Sequence, residues 1–129
     1  MQSQPEKHLY EYAVIRYVPV IERGEQINVG LVMMCKRKKW LRARVCIEKE
    51  RILALFPSAD VDALSGQLDS FGKIAAGDPS PIGSLEAHER FRWLTAVRSA
   101  CICTSRPHPG KCEDLEKTFD RLFAELVSF

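Results

Sequence analysis

A chain of 129 residues with 46% hydrophobic and 28% charged residues has apolar side chains enough for one core and too many for a disordered chain. Its formal net charge of +2 is too small to name a polyanionic partner, so any argument from charge rests on local clustering. The five cysteines, odd in number, argue against a disulfide framework, and the longest uncharged apolar run, Val29–Cys35, is far short of the roughly 20 residues a membrane span needs.

The N-terminal residues show no basic patch ahead of an apolar block, so a cytoplasmic protein without membrane association is expected. One domain is expected over residues 1–129, with residues 1–8 as a polar lead-in. From Tyr10 the chain is rich in β-branched and aromatic residues, and Tyr12, Val14, Arg16 and Val18 share one face of the predicted strand. Pro19 lacks a ladder donor and marks the strand's end or an edge. Glu22-Arg23-Gly24-Glu25 is a turn, with Gly24 free to take positive φ.

Gln26–Cys35 reads as a strand apolar on both faces, with Ile27, Val29, Leu31 and Met33 on one and Val32 and Met34 on the other. That pattern predicts a central strand covered on both sides. Gly30 marks a bulge or a close approach by another group. Past the turn Lys36-Arg37-Lys38-Lys39, a third strand alternates. Leu41, Ala43, Val45 and Ile47 point to the core, and Trp40, Arg42, Arg44 and Cys46 point outward.

The period then changes. Arg51–Phe56 is a short helical turn stopped by Pro57. Ser58 or Asp60 caps a helix over 61–76, in which Val61, Leu64, Leu68, Phe71, Ile74 and Ala75 recur at three- and four-residue steps. Gly77–Pro81 is a surface loop. Ser84 caps a second helix over Leu85–Leu94, Ser99–Thr104 reads as a fourth strand, and Arg106–Gly110 as a stiff linker. A last amphipathic helix spans Glu113–Val127. Hairpins first and helices afterwards predict an α+β fold: an antiparallel sheet of about four strands, three consecutive N-terminal ones and one late one, with two or three helices packed on one face.

Two clusters of cations stand out. The stretch Lys36–Arg51, with Lys36, Arg37, Lys38, Lys39, Arg42, Arg44, Lys49 and Arg51 and with Trp40 interleaved, fits a nucleic-acid surface, in which cations neutralise phosphates and an aromatic stacks a base. The plainer reading is a solvated strand face and a Lys-rich turn that keeps an edge soluble. Arg90, Arg92 and Arg98 around Phe91 and Trp93 fit an anion or protein-partner site, which Arg16 and Arg23 join if the fold brings them together. The alternative is that Phe91 and Trp93 are core and the arginines brace acids such as Asp78, Glu86 or Glu89.

Cys101 and Cys103 lie near His108 and Cys112, but no CxxC pair exists and no metal site is expected. No cofactor is implied either. The chain holds no GxSxG, HExxH or P-loop, and its histidines are scattered, so no catalytic residues are assigned and a non-enzyme is favoured. A third reading is an enzyme acting on a phosphorylated small molecule held by Arg16, Arg90 and Arg92. It stands only if those guanidiniums converge.

Two long stretches carry a resemblance. Tyr12-Ala13-Val14-Ile15-Arg16-Tyr17-Val18-Pro19 runs on to Arg23-Gly24-Glu25 and Asn28-Val29-Gly30-Leu31-Val32. The other is Glu89-Arg90-Phe91-Arg92-Trp93-Leu94-Thr95-Ala96 with Arg98 and Ser99. With Leu55-Phe56-Pro57, Gly77-Asp78-Pro79 and the Leu122–Val127 ending, they resemble the bacterial family called domain of unknown function 3037, over nearly the whole chain. The resemblance adds Asn28 to the candidate partner site. It implies a small bacterial protein, often encoded beside HipA-class serine/threonine kinases, and hence a partner or regulator of such a kinase in a toxin–antitoxin-like system. It assigns no catalytic residue, and it leaves the oligomeric state open. The sequence departs from the family's pattern at Val97, where proline is more usual, and at Cys101-Ile102-Cys103.

Overall fold

β1 (His8–Tyr17) pairs with three other strands. On one edge its residues 11–17 pair with β2 (Ile27–Cys35). The opposite edge is shared by β4 (Ile102–Thr104), which meets residues 15–17, and β5 (His108–Cys112), which meets residues 8–12. Between them Ser105 accepts a hydrogen bond from the Val14 N–H through its hydroxyl at 2.9 Å, so the gap leaves no orphaned donor there. β3 (Trp40–Val45) completes the order β3-β2-β1-β4, all antiparallel, with β5 beside β1. The computed structural model describes residues 6–96 and 101–128.

The helices are α1 (Lys49–Leu55), α2 (Val61–Ala75), α3 (Ala87–Leu94) and α4 (Leu115–Leu126). Asp60 caps α2 as its position predicts, accepting from the Ala63 N–H at 3.0 Å, and Asp114 does the same for α4 at Lys117. The fold is α+β, as the order of hairpins and helices predicts.

A β-bulge sets the two faces. The register steps from Ile15 opposite Gly30 to Arg16 opposite Asn28, which leaves Val29 unopposed. Side chains N-terminal to the bulge therefore change face relative to those beyond it. Ile27 and Val29 join Val32 and Met34 under α1, α2 and α3, packed with Ala13, Ile15 and Tyr17. Leu31 and Met33 face the other way, with Val14, Phe119, Leu122 and Val127. The grouping of Ile27 and Val29 with Leu31 and Met33, expected from strict alternation, is corrected by that extra residue.

Helices thus cover both faces of the sheet, where one covered face is expected from sequence. β2 is the central, doubly covered strand that its composition predicts. The difference is α4, whose Phe119 and Leu122 bury against the second face. Each contributes about 2 kcal/mol relative to exposure, and both lie on the buried face of that twelve-residue helix. The other correction is β5. A segment containing Pro109 and Gly110 forms an outer strand, where a missing ladder donor costs nothing.

Candidate functional site

The predicted arginine site divides between the two faces of the sheet. Arg16 donates from Nε to Asn28 Oδ1 at 3.4 Å, and Asn28 Nδ2 donates to the Leu126 carbonyl at 3.0 Å. These groups fasten the end of α4 to the bulge on the α4 face. Arg92 lies on the other face and donates twice to Glu11, at 2.9 and 2.5 Å. Those hydrogen bonds hold its guanidinium above the ordinary arginine range, against an opposing effect of burial.

Arg90 is structural: its Nη1 donates to the Leu85 carbonyl at 2.7 Å and its Nη2 to the Ala75 carbonyl at 3.4 Å, tying α3 to the C-terminal end of α2. Its buried Nε has no partner among the described residues. Arg23 pairs with Glu25 across Gly24, which takes φ +70° as the turn requires. Arg98 lies outside the described residues. Arg16, Arg90 and Arg92 therefore do not converge, and the site expected to clamp a phosphorylated small molecule is not formed.

The Phe91–Trp93 segment splits in the same way. Phe91 is fully buried, whereas Trp93 is 39% exposed. Helical geometry produces this division, because residues two apart on a helix point about 200° apart. The indole stands at the edge of an open groove of about 310 Å³ between α2, α3 and β4, whose other walls include Phe71, Ile74, Leu94, Ile102 and Cys103.

The basic hairpin is mostly paired. Trp40 Nε1 donates to Glu116 at 3.2 Å, Arg42 pairs with the same carboxylate, and Arg44 lies 3.1 Å from Asp120. Arg44 also stacks over Phe119 and Phe123 at 4.9 and 5.1 Å. The outward face predicted for Trp40, Arg42, Arg44 and Cys46 is the face that α4 covers. Arg37 and Lys38 approach Glu6 at 3.9 and 3.6 Å, and Lys36 and Lys39 are exposed.

A second cavity, about 570 Å³, opens between the β1–β2 connection and the α1–α2 connection. Tyr17, Pro19, Val20, Leu55, Phe56 and Asp60 form most of it, and Arg23 and Glu25 stand at its lip. Phe56 packs edge-on to Tyr17 at 6.1 Å. Of its residues only Arg23 is a predicted site residue. The available signal is Val20-Ile21, an apolar pair past the strand-ending Pro19 and ahead of a charged turn, which leaves both 45% exposed.

A model of proteins of unknown function, DUF3037, matches residues 12–127. The chain belongs to this family. No curated protein and no solved structure matches it.

In this DUF3037 chain, groups suited to a metal come together once among the described residues, at Glu86, His88 and Glu89, within 4.8 Å of one another. They sit at the start of α3, where the helix dipole opposes a cation. Cys101, Cys103, His108 and Cys112 form no such group. All five thiols are free, and burial beside Glu48 pushes the Cys46 thiol up, which keeps it protonated and poorly nucleophilic.

Proposed function

We propose that this chain is a binding or regulatory module that docks a protein partner and makes no bonds of its own. The partner of this reading is the HipA-class serine/threonine kinase that the family resemblance implies. The observation that carries it is Trp93, 39% exposed at the edge of a groove lined by Phe71, Ile74, Leu94 and Ile102. A large apolar side chain that is 39% exposed beside an apolar groove suits a docking anchor. Arg92, one residue earlier and also exposed, donates twice to Glu11 and presents its further N–H groups at the rim.

Co-purification tests this reading. A tagged chain expressed in its native host brings down the adjacent kinase-class product, and Trp93→Ala loses it. If the kinase never comes down with the unaltered chain, the reading fails.

Nucleic-acid binding is the second reading, and one observation keeps it: Lys36, Arg37, Lys38 and Lys39 form an exposed cationic turn. Glu116 and Asp120 already occupy Arg42 and Arg44, so the surface is smaller than the sequence implies. A gel shift across a salt series decides the matter, since phosphate contacts predict a steep loss of binding as salt rises.

A further inference from the structure

We infer that the outer edge of β3 accepts an extended acidic segment of another protein as an added strand. This edge lies at the opposite end of the sheet from β4 and the Trp93 groove, so the inference goes beyond groove docking and does not rest on it.

The direction of the backbone groups is the first argument. The Cys46 N–H donates to the Val29 carbonyl at 2.8 Å, which turns the backbone of Cys46, and by alternation that of Arg44, Arg42 and Trp40, inward to β2. Leu41, Ala43 and Val45 therefore turn their N–H and C=O groups away from the sheet. Among the described residues none of these groups has a hydrogen-bond partner. They recur every second residue, about 6.8 Å apart, a spacing of donors and acceptors that another extended backbone matches and a nucleic acid or small molecule does not.

The contrast between the two edges is the second argument. β3 runs six residues without proline, glycine or a bulge, and none of the six is buried. The opposite edge is broken: β4 has three residues, β5 contains Pro109, which lacks an N–H, and Ser105 stands between them. The arginines of β3 do not guard its edge, because both are drawn back to α4, Arg42 by Glu116 and Arg44 by Asp120.

Charge names the occupant. Lys36–Val45 carries six cations, and the acids that pair with them are Glu6, Glu116 and Asp120, so the excess is positive. Lys36 and Lys39 are exposed where the strand begins. A second copy of β3 sets arginine against arginine across the new ladder, which is unfavourable, whereas acidic residues on that face are favoured. On the other face Leu41, Ala43 and Val45 pack against the core beneath α2 and α3, and apolar residues of the added strand extend that layer. The fitting segment alternates apolar and acidic residues.

A displayed library of random peptides of about eight residues tests the inference, with binding of selected synthetic peptides measured by fluorescence polarisation. The expected winners alternate apolar residues with Asp or Glu. Methylating alternate backbone nitrogens of a winner weakens binding at least tenfold in one of the two phases and leaves it unchanged in the other, because only one set of N–H groups faces β3. Ala43→Pro, which removes the central outward N–H, weakens binding by a similar factor. Thermal melting shows whether that variant folds, and the methylated peptides test the ladder on the unaltered chain in either case. Trp93→Ala leaves the affinity unchanged. If no peptide binds, if the winners lack acidic residues, or if the two phases of methylation act alike, the inference is overturned. If Trp93→Ala abolishes binding, the peptides sit in the groove, so the added strand is overturned while groove docking stands. A chain that sediments as a dimer, and as a monomer in Ala43→Pro, overturns the acidic segment in favour of a second copy.

Discussion

Arg16 and Arg92 lie on opposite faces of one sheet, Arg16 bound to Asn28 beneath the end of α4 and Arg92 bound to Glu11 beside α3. With no shared partner, they act independently. Asn28→Ala removes the link to the Leu126 carbonyl and costs about 1–2 kcal/mol, because a part-buried acceptor loses its donor. Arg92→Ala costs at most about 1 kcal/mol, since the pair with Glu11 is partly in water. Urea denaturation of the double variant gives the sum of the two to within about 0.5 kcal/mol. A larger coupling contradicts the placement on separate faces.

Gly30, next to the bulged Val29, gives a second expectation. A Cβ there meets the Arg44 carbonyl oxygen at 2.8 Å and Ile15 Cδ1 at 2.9 Å, and the carbonyl belongs to the neighbouring strand and has little room to retreat. Gly30→Ala therefore destabilises by about 2 kcal/mol or more in urea titration, although alanine suits regular secondary structure better than glycine does.

How much of this was legible in the sequence varies by element. β1, β3, α2 and α4 follow from periodicity, and the Asp60 cap from its position ahead of the apolar run. Strict alternation cannot anticipate Val29 standing unopposed, so the faces of Ile27 and Leu31 are assigned correctly only once pairing is known. β5 escapes because Pro109 and Gly110 are loop residues locally and strand residues only when β1 supplies an edge. The arginine cluster depends on tertiary placement, and the exposure of Trp93 depends on which turn of α3 meets the sheet. The cleft at Tyr17 joins two connections about 40 residues apart in sequence, beyond the reach of any local pattern.

Arg44 separates packing from charge. Its guanidinium stacks on Phe119 and Phe123 while pairing with Asp120 at an exposed site. Asp120→Ala costs less than about 0.5 kcal/mol, because exposed ion pairs contribute little. Arg44→Ala costs about 1 kcal/mol or more, through lost stacking and lost cover of the two rings. Equal costs in thermal or urea melts contradict this ordering.

Alkaline pH reports on Tyr10 and Tyr17. Burial pushes both hydroxyls above their ordinary value of 10.0, with smaller upward effects from Cys112 at Tyr10 and from Cys101 and Asp60 at Tyr17. The unfolded chain then ionises first as pH rises. Their contribution is complete below about pH 10 and is lost as pH climbs through the folded-state values. Urea midpoints measured from neutral to alkaline pH fall above that point, and the Tyr10→Phe/Tyr17→Phe double variant falls less steeply. An unchanged slope contradicts the burial argument.

The central claim is that an exposed indole on α3 docks another protein. The affinity of the purified chain for the purified HipA-class kinase, measured by calorimetry for wild type and for Trp93→Ala, tests it most directly. The account predicts saturable binding that weakens by about thirtyfold or more in the variant, as expected for an aromatic anchor worth about 2 kcal/mol. Absence of binding by the wild type, or equal affinity of the two proteins, contradicts it.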